Sequence, residues 1–224
     1  MPLNFLKTKH FFHPNSDEPF YSLLESSVYP WEILSEIASF IDSLGPLLSH
    51  DLFDQIGENI WVSRSATIAD YATIKGPTII CENVEVRPGA YIRGNVYIGS
   101  DSVVGNSSEL KNVLLLGRVD VPHFNYIGDS ILSYGAHMGA GSITSNLRAD
   151  RENITVRMGS EKIDTGLRKF GAMIAENVEV GCNAVLNPGV CLGANSVVYP
   201  LSCVRVSVPA DCIHKHSGEL VSRV

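Results

Sequence analysis

A histidine, a glutamate and two cations in the middle of the chain could together carry out proton transfer. Histidine with its ordinary pKa of about 6.5 can take a proton from an ammonium or hydroxyl nucleophile near neutral pH. His123 is the best placed histidine for this role, and Glu109 could orient its imidazole. Arg87 and Lys111 supply positive charge nearby in sequence. Each of the four could equally be a surface residue without a catalytic role. Whether they form a site depends on how the fold positions them.

That fold is set by a six-residue repeat. Aliphatic residues occupy every sixth position from Val62 to Leu116 without a miss, and smaller residues recur four places after them, from Ala66 to Ser108. This period is neither that of a strand nor that of a helix. It predicts a mainly β fold, a parallel β-helix in which each hexad forms one short strand and a corner. Three hexads would close a triangular coil of about eighteen residues.

The repeat also constrains the two cations. Arg87 and Lys111 each follow an aliphatic residue, and they are separated by one full coil plus one face. Stacked triangular coils form a three-sided prism, and the two cations therefore cannot line the same face of one such prism. They would share a cleft only where two copies meet, as in a threefold assembly, and otherwise each is a solvated corner charge.

Two stretches interrupt the six-residue repeat, whose series of aliphatic positions we call the ladder. After Leu116 the next secure position is Leu132, four residues more than two hexads allow, which predicts a bulge that contains His123. Residues 145–168 are polar and lack the repeat, so we expect a loop that leaves the prism, with a small hairpin in ITVRMGSEKIDTG. Such interruptions are reasonable places for chemistry.

The flanking segments define the domain organisation. Residues 1–55 are expected to form an N-terminal arm and an amphipathic helix over 30–44, opened by Pro30 and closed by Gly45. This helix would cover an end or side of the prism; the alternative is a substrate-binding module. The β-helix is predicted over 56–205, and 206–224 form a C-terminal cap or tail.

Composition narrows the function classes. The net charge of −7 argues against nucleic acid or an anionic membrane as partner. No apolar stretch reaches the roughly 18 residues of a membrane span, and the N-terminus lacks a secretory signal. Five cysteines without a C-x-x-C pair suit a reducing cytoplasm. No metal is expected, because His123 and His137 have no third histidine in the ladder up to Leu116.

Four segments resemble a known family. RPGAYIRG, VGNSSELKNVLLLGRVDVPHFNYIGD, HMGAGSITSN and RKFGAMIAENVEVGCNAVLNPGVCLG are similar to the acetyltransferase half of the bacterial bifunctional glucosamine-1-phosphate acetyltransferase/N-acetylglucosamine-1-phosphate uridyltransferase. The most specific match combines E-x-K, a twelve-residue step to histidine, and H-x-x-Y. This hexapeptide-repeat family implies a left-handed β-helix, acetyl-CoA as the acyl donor, and a homotrimer with sites between subunits.

The resemblance also implies residue roles. His123 takes the place of the base that deprotonates the sugar amine, and Glu109 that of its acidic partner. Arg87 and Lys111 match cations that hold the sugar phosphate, beside Tyr126. The other implied positions are Asn146, which positions the amino sugar; Lys169, contributed by a neighbouring subunit; and Ala140 and Cys182, which line the acetyl-CoA channel.

Departures from the family concern the acceptor. His137, counted here among the acceptor-binding residues, stands where the family usually has asparagine; Leu147 replaces a tyrosine, and the loop over 147–168 is longer. Residues 1–55 are too short for the family's nucleotidyltransferase domain, so uridylyl transfer by this chain alone is not expected.

The sequence therefore predicts an enzyme, an N-acetyltransferase acting on a phosphorylated or nucleotide-linked amino sugar. The alternative is a non-catalytic β-helix for assembly or sugar-nucleotide binding, partnered by a separate nucleotidyltransferase. O-acyl transfer and metal-dependent hydration also stay open.

Overall fold

A computed structural model describes residues 3–223 of the chain. Residues 1, 2 and 224, the outer ends of the predicted N-terminal arm and C-terminal tail, lie outside the described residues. Among the helices of the described part, none is long and apolar enough to cross a membrane.

Parallel strands stack into a three-sided coil, and we call its sides faces A, B and C. Face A contains Ile60–Ser63, Thr78–Ile80, Val96–Ile98, 113–115, 130–132, Ala172–Ile174 and Val190–Leu192, with Phe53–Gly57 antiparallel at its start. Face B contains Thr67–Ile68, Glu85–Val86, Val103–Asn106, Asp120–His123, His137–Met138, Glu179–Val180, Val197–Val198 and Cys212–His214, closed by the antiparallel Leu220–Ser222. Face C contains Thr73–Ile74, Tyr91–Ile92, 109–111, 126–128, Ile143–Thr144, Val185–Leu186 and Cys203–Val204.

The strands Glu109–Leu115 and Tyr126–Leu132 run from face C into face A. The inward side chains of all three faces form one aliphatic core, in which Val86, Ile98 and Leu110 are fully buried. Burying one such side chain stabilises the fold by about 1.5–3 kcal/mol. The predicted fold class, a mainly β, left-handed parallel β-helix, is confirmed.

The bulge predicted after Leu116 is wrong. Ile98 pairs with Leu115, and Leu115 in turn pairs with Leu132. Leu116 instead points out of the coil, into a second apolar cluster. The register slips because two successive coils are each one residue shorter at the corner between faces C and A. The backbone turns there in the left-handed region, at Asn112 with φ 56° and at Asp129 with φ 47°.

The outer surface of face A is covered by that second cluster. The N-terminal segment forms 3-10 helices over Leu3–Leu6, Pro30–Ser35 and Gly45–Leu47 and α-helices over Thr8–Phe11, Tyr21–Glu25 and Ile37–Leu44. The helix predicted over 30–44 is thus two segments that break at Glu36, and it packs against a side of the prism. The rings of Phe20 and Tyr97 lie 5.7 Å apart in an edge contact within this layer.

The loop after Thr144 leaves the coil at the corner between faces C and A. It carries the predicted hairpin, formed by Thr155–Met158 and Glu161–Asp164. The loop does not project away from the prism but folds back over face A, where Ile154 is fully buried in the outer cluster. Gly189 allows this approach, because a Cβ there would lie 2.7 Å from Ile154 Cγ2. Face A is therefore covered on both sides, by the core and by the outer cluster.

Candidate active site

His123 ends its strand at the corner between faces B and C, where its side chain is exposed. Its backbone is held from two sides: its N–H donates to Asn125 Oδ1 at 3.0 Å, and its carbonyl accepts from the Gly141 N–H at 3.0 Å. Asn125 is itself buried and donates to the Gly139 carbonyl at 2.8 Å. The imidazole thus projects into open space from a fixed backbone.

Ala140 and Cys182 occupy the same corner as His123 in the next two coils. The register of face B pairs Asp120 with His137 and His137 with Glu179, which places 123, 140 and 182 in one column. Successive coils are about 4.8 Å apart. The two residues expected at the acyl-donor channel therefore follow the same prism edge as the candidate base.

Face C carries a row of polar side chains beside this corner. Glu109 and Tyr126 are adjacent in register. The Glu109 carboxylate accepts from Arg93 Nη1 at 2.7 Å, and among the described residues no hydrogen bond joins it to the His123 ring. Arg93 was missed by the sequence reasoning, although it lies one coil before Lys111 and on the same face. That spacing was the signal that could have found it.

A buried carboxylate organises the far end of this row. Asp129 is 4% exposed. Its Oδ1 accepts from Lys111 Nζ at 2.8 Å and from Asn112 Nδ2 at 3.0 Å, and its Oδ2 accepts from Asn146. The expected Lys111 and Asn146 are thus brought together by an aspartate that the sequence did not single out. A lone aspartate in the interrupted ladder carried no pattern that could reveal this role.

Tyr126 stands over the same cluster. A Cβ on Gly128 would lie 2.6 Å from Tyr126 Oη and 2.9 Å from Asn146 Nδ2. Only glycine at position 128 therefore leaves room for these two side chains. Burial raises the pKa of Tyr126, and the Asp129 carboxylate acts in the same direction. The phenol is therefore a hydrogen-bond donor at neutral pH.

The remaining expected residues lie elsewhere on the prism. Arg87 is on face B, where it binds Glu85 through two hydrogen bonds of 3.0 and 3.1 Å and lowers the pKa of that carboxyl. Arg87 and Lys111 do lie on different faces, as their spacing predicted. His137 is also on face B, with Nδ1 at 2.8 Å from Glu179 Oε2, away from Asn146 on the loop after face C.

We call the loop between the strands Ile143–Thr144 and Ala172–Ile174 the excursion loop. Lys169 lies near its end and is exposed beside a cavity at the corner between faces C and A. Within residues 3–223, no group of three His, Cys, Asp or Glu side chains is close enough to hold a metal ion.

Known proteins are similar in sequence to this chain. Residues 74–159 match the family described as the GMPPB C-terminal domain. The chain is 36% identical over 194 residues to the bifunctional protein GlmU of Methanococcus vannielii, covering 86% of this chain and 47% of that protein. It is 34% identical to a bifunctional sugar-1-phosphate nucleotidylyltransferase/acetyltransferase of Sulfurisphaera tokodaii, covering 80% of this chain and 45% of the relative. The chain spans about half the length of the curated relatives it matches.

Solved structures are more distant. The polysialic acid O-acetyltransferase OatWY has 16% identity and a TM-score of 0.31, covering 74% of this chain and 86% of that one. The PglB acetyltransferase domain from Neisseria gonorrhoeae, in complex with acetyl coenzyme A, has 12% identity and a TM-score of 0.27, covering 82% and 63%. Likenesses at this level carry no functional argument. The sequence relatives confirm the resemblance that the motifs predicted: this chain is similar to the C-terminal, acetyltransferase half of the bifunctional GlmU proteins.

Proposed function

We propose that this protein transfers an acetyl group from acetyl-CoA to the amine of a phosphorylated or nucleotide-linked amino sugar. The observation that carries the proposal is the exposed imidazole of His123 on a fixed corner, in one column with Ala140 and Cys182. The likeness to GlmU proteins over 86% of the chain supports the same chemistry.

His123 acts as the general base. It accepts the proton that the sugar amine loses as its nitrogen attacks the thioester carbonyl. The new C–N bond forms, the C–S bond breaks as the tetrahedral intermediate collapses, and His123 returns the proton to the departing thiolate. Binding both substrates along one edge supplies the orientation that this bimolecular step needs.

Face C holds the acceptor. Lys111 and Arg93 offer N–H donors to a phosphate, although the charge of each is balanced by a carboxylate of the same chain. The Tyr126 phenol and the Asn146 amide provide neutral hydrogen bonds for the sugar. Within one chain, the Glu109 carboxylate holds the Arg93 guanidinium in place. Glu109 would contact the His123 imidazole only if substrate or a second copy separated this ion pair. Arg87 would add its charge from a neighbouring copy, and His137 would border the acceptor from face B. Lys169 instead lines the cavity beside Asp129 in its own chain.

The active form is a homotrimer. The N-terminal segment and the loop cover face A, whereas the outer sides of faces B and C are not covered by the described residues. Three large apolar side chains are exposed on the corner between these faces: Tyr71, Phe124 and Leu201, at 91%, 64% and 75%. Contact along this corner would bring His123 of one copy close to a face of the next.

The five cysteines support a cytoplasmic location. All of them are free, and Cys81 and Cys191 are buried, which raises the pKa of each thiol to about 12. Buried protonated thiols of this kind are inert, as expected of structural residues in a reducing compartment.

Thiol release from acetyl-CoA, measured with a panel of amino-sugar phosphates and nucleotide-linked amino sugars, tests the proposal. We expect turnover by the parent protein and a loss of about 10²–10⁴-fold in kcat for His123→Ala. His50→Ala, which removes another exposed histidine, is the matched control and should keep full activity. Equal activity of His123→Ala and parent would remove the assigned base, and a parent that binds amino sugars without thiol release would favour the non-catalytic alternative.

A further inference from the structure

A cavity of about 550 Å³ opens at the corner between faces C and A. It lies between the excursion loop, the 3-10 helix over Pro30–Ser35 and the corner that contains Asp129. Three leucines and three cations contribute most of its wall: Leu34, Leu147, Leu167, Arg151, Arg168 and Lys169. Its volume is within the range of about 300–1,000 Å³ that is usual for small-molecule sites.

The cavity carries net positive charge. Arg151, Arg168 and Lys169 are exposed, and in the part of the chain that the structure describes none of them forms an ion pair. Asp129 also borders the cavity, but both of its oxygens are already engaged, by Lys111 and Asn112 on one side and Asn146 on the other. Its charge is compensated, so an anion in the cavity meets three free cations.

The combination of aliphatic walls and guanidinium groups selects a particular ligand chemistry. Arginine binds phosphate oxygens through two parallel N–H donors and also stacks on planar rings. Leucine side chains provide an apolar surface on which the flat face of a nucleobase can pack. A sugar monophosphate would leave the leucine side chains of the wall unused, whereas a nucleoside diphosphate would contact both the leucines and the cations.

The position of the cavity separates it from the expected acyl-donor channel. Ala140 and Cys182 follow the corner between faces B and C, one face away. By contrast, Asn146, assigned to the amino sugar, binds Asp129 on the wall of this cavity. The cavity is therefore continuous with the acceptor side of the site.

We infer that this cavity binds the nucleoside diphosphate end of the acceptor, so that the substrate class is the nucleotide-linked amino sugar rather than the sugar 1-phosphate. The role of the ligand as acetyl acceptor rests on the proposed function. The binding of a nucleoside diphosphate to the cavity does not depend on it. The lengthened loop, which supplies both arginines, is then the element that distinguishes this chain's substrate.

Calorimetric titration of the full chain with UDP tests the inference without any turnover. We expect saturable binding that weakens when salt is raised and that falls about tenfold in Arg168→Gln and in Arg151→Gln, each of which loses a charged hydrogen-bond donor. Arg157→Gln is the matched control, because Arg157 is exposed on the same loop but does not line the cavity. Coenzyme A, which also contains a nucleoside diphosphate, is titrated in parallel and in competition with UDP.

The outcomes separate this inference from the proposed function. Failure of UDP to bind a protein that acetylates glucosamine 1-phosphate overturns the inference and leaves the activity standing. Displacement of UDP by coenzyme A, with the same dependence on Arg168, also overturns it, because the cavity would then belong to the donor. Binding of UDP that depends on Arg168, in a protein that releases no thiol with any acceptor, supports the ligand site and overturns the activity.

Discussion

Asn112 Nδ2 lies 3.0 Å from Asp129 Oδ1, and the two residues occupy the same corner in successive coils. The same amide nitrogen is 3.0 Å from the carbonyl oxygen of Leu34, in the N-terminal segment. One shortened corner therefore joins three parts of the molecule: the coil, the outer layer on face A and the polar cluster of face C. The acceptor side of the candidate site is built on this junction.

Two substitutions of Asp129 should distinguish the effect of its negative charge from the effect of its side-chain shape. Asp129→Ala removes the acceptor of Lys111, Asn112 and Asn146 and puts alanine at a left-handed corner, so we expect a loss of about 3 kcal/mol in the free energy of unfolding. Asp129→Asn tolerates that backbone and keeps one oxygen for Lys111, so it should lose clearly less stability. Its amide nitrogen cannot accept from Asn146, which is then no longer held in place, so KM for the acceptor should still rise. Urea unfolding and acceptor kinetics give the two readouts. Equal stability of parent and Asp129→Ala would show that this carboxylate does not hold the corner.

Much of the fold follows from the six-residue period, because inward aliphatic side chains must recur once per side of the prism. The two shortened corners could not be found in this way. Leu114, Leu115 and Leu116 are consecutive. The six-residue count therefore falls on an aliphatic residue, Leu116, even though the inward position has shifted by one to Leu115. Only the pairing of Ile98 with Leu115 reveals the slip.

The candidate site was predicted in part for a similar reason. His123, Ala140 and Cys182 fall in one column because each coil repeats the same corner, but their roles came from the resemblance. The role of Asp129 was not predicted, because nothing in a single carboxylate indicates that two side chains of the preceding coil and one of the loop converge on it. Contacts of this kind depend on the stacking of coils and on the path of the loop.

Arg93 and Arg87 can be told apart by kinetics. Arg93 shares face C with Lys111, so Arg93→Gln should raise KM for an anionic acceptor by about tenfold, the loss of one charge-assisted hydrogen bond. Arg87 reaches such a ligand only across a contact between copies, so Arg87→Gln should raise KM less, while kcat stays similar in both. Steady-state kinetics at low salt measure the difference. A larger effect at Arg87 would move the acceptor phosphate to face B.

His214 predicts a pH dependence of stability. Its side chain is 3% exposed and its Nδ1 has no hydrogen-bond partner among residues 3–223, so burial lowers its pKa. The unfolded chain takes up a proton at the ordinary histidine pKa of about 6.5, which the folded chain resists. The free energy of unfolding should therefore fall as pH drops below about 6.5, by at most about 1.4 kcal/mol per pH unit.

Substitution isolates this contribution. Unfolding curves of the parent and of His214→Gln between pH 5 and pH 7.5 should differ in slope, because the glutamine variant lacks the titrating group. His216→Gln, two residues along and exposed, should retain the slope of the parent. If His214→Gln shows the same slope as the parent, the buried imidazole is not the group that titrates.

The apolar corner between faces B and C predicts how copies assemble. Leu201 is 75% exposed in a left-handed corner conformation, which aspartate also adopts readily. Leu201→Asp should therefore leave each chain folded but place three charges where copies meet. Light scattering after size-exclusion chromatography should show about 73 kDa for the parent, three times the 24.4 kDa of one chain, and a single-chain mass for the variant. Leu47→Asp, which alters an equally exposed leucine in the N-terminal segment, should remain trimeric; dissociation of this control instead would place the contact on the covered side of the prism.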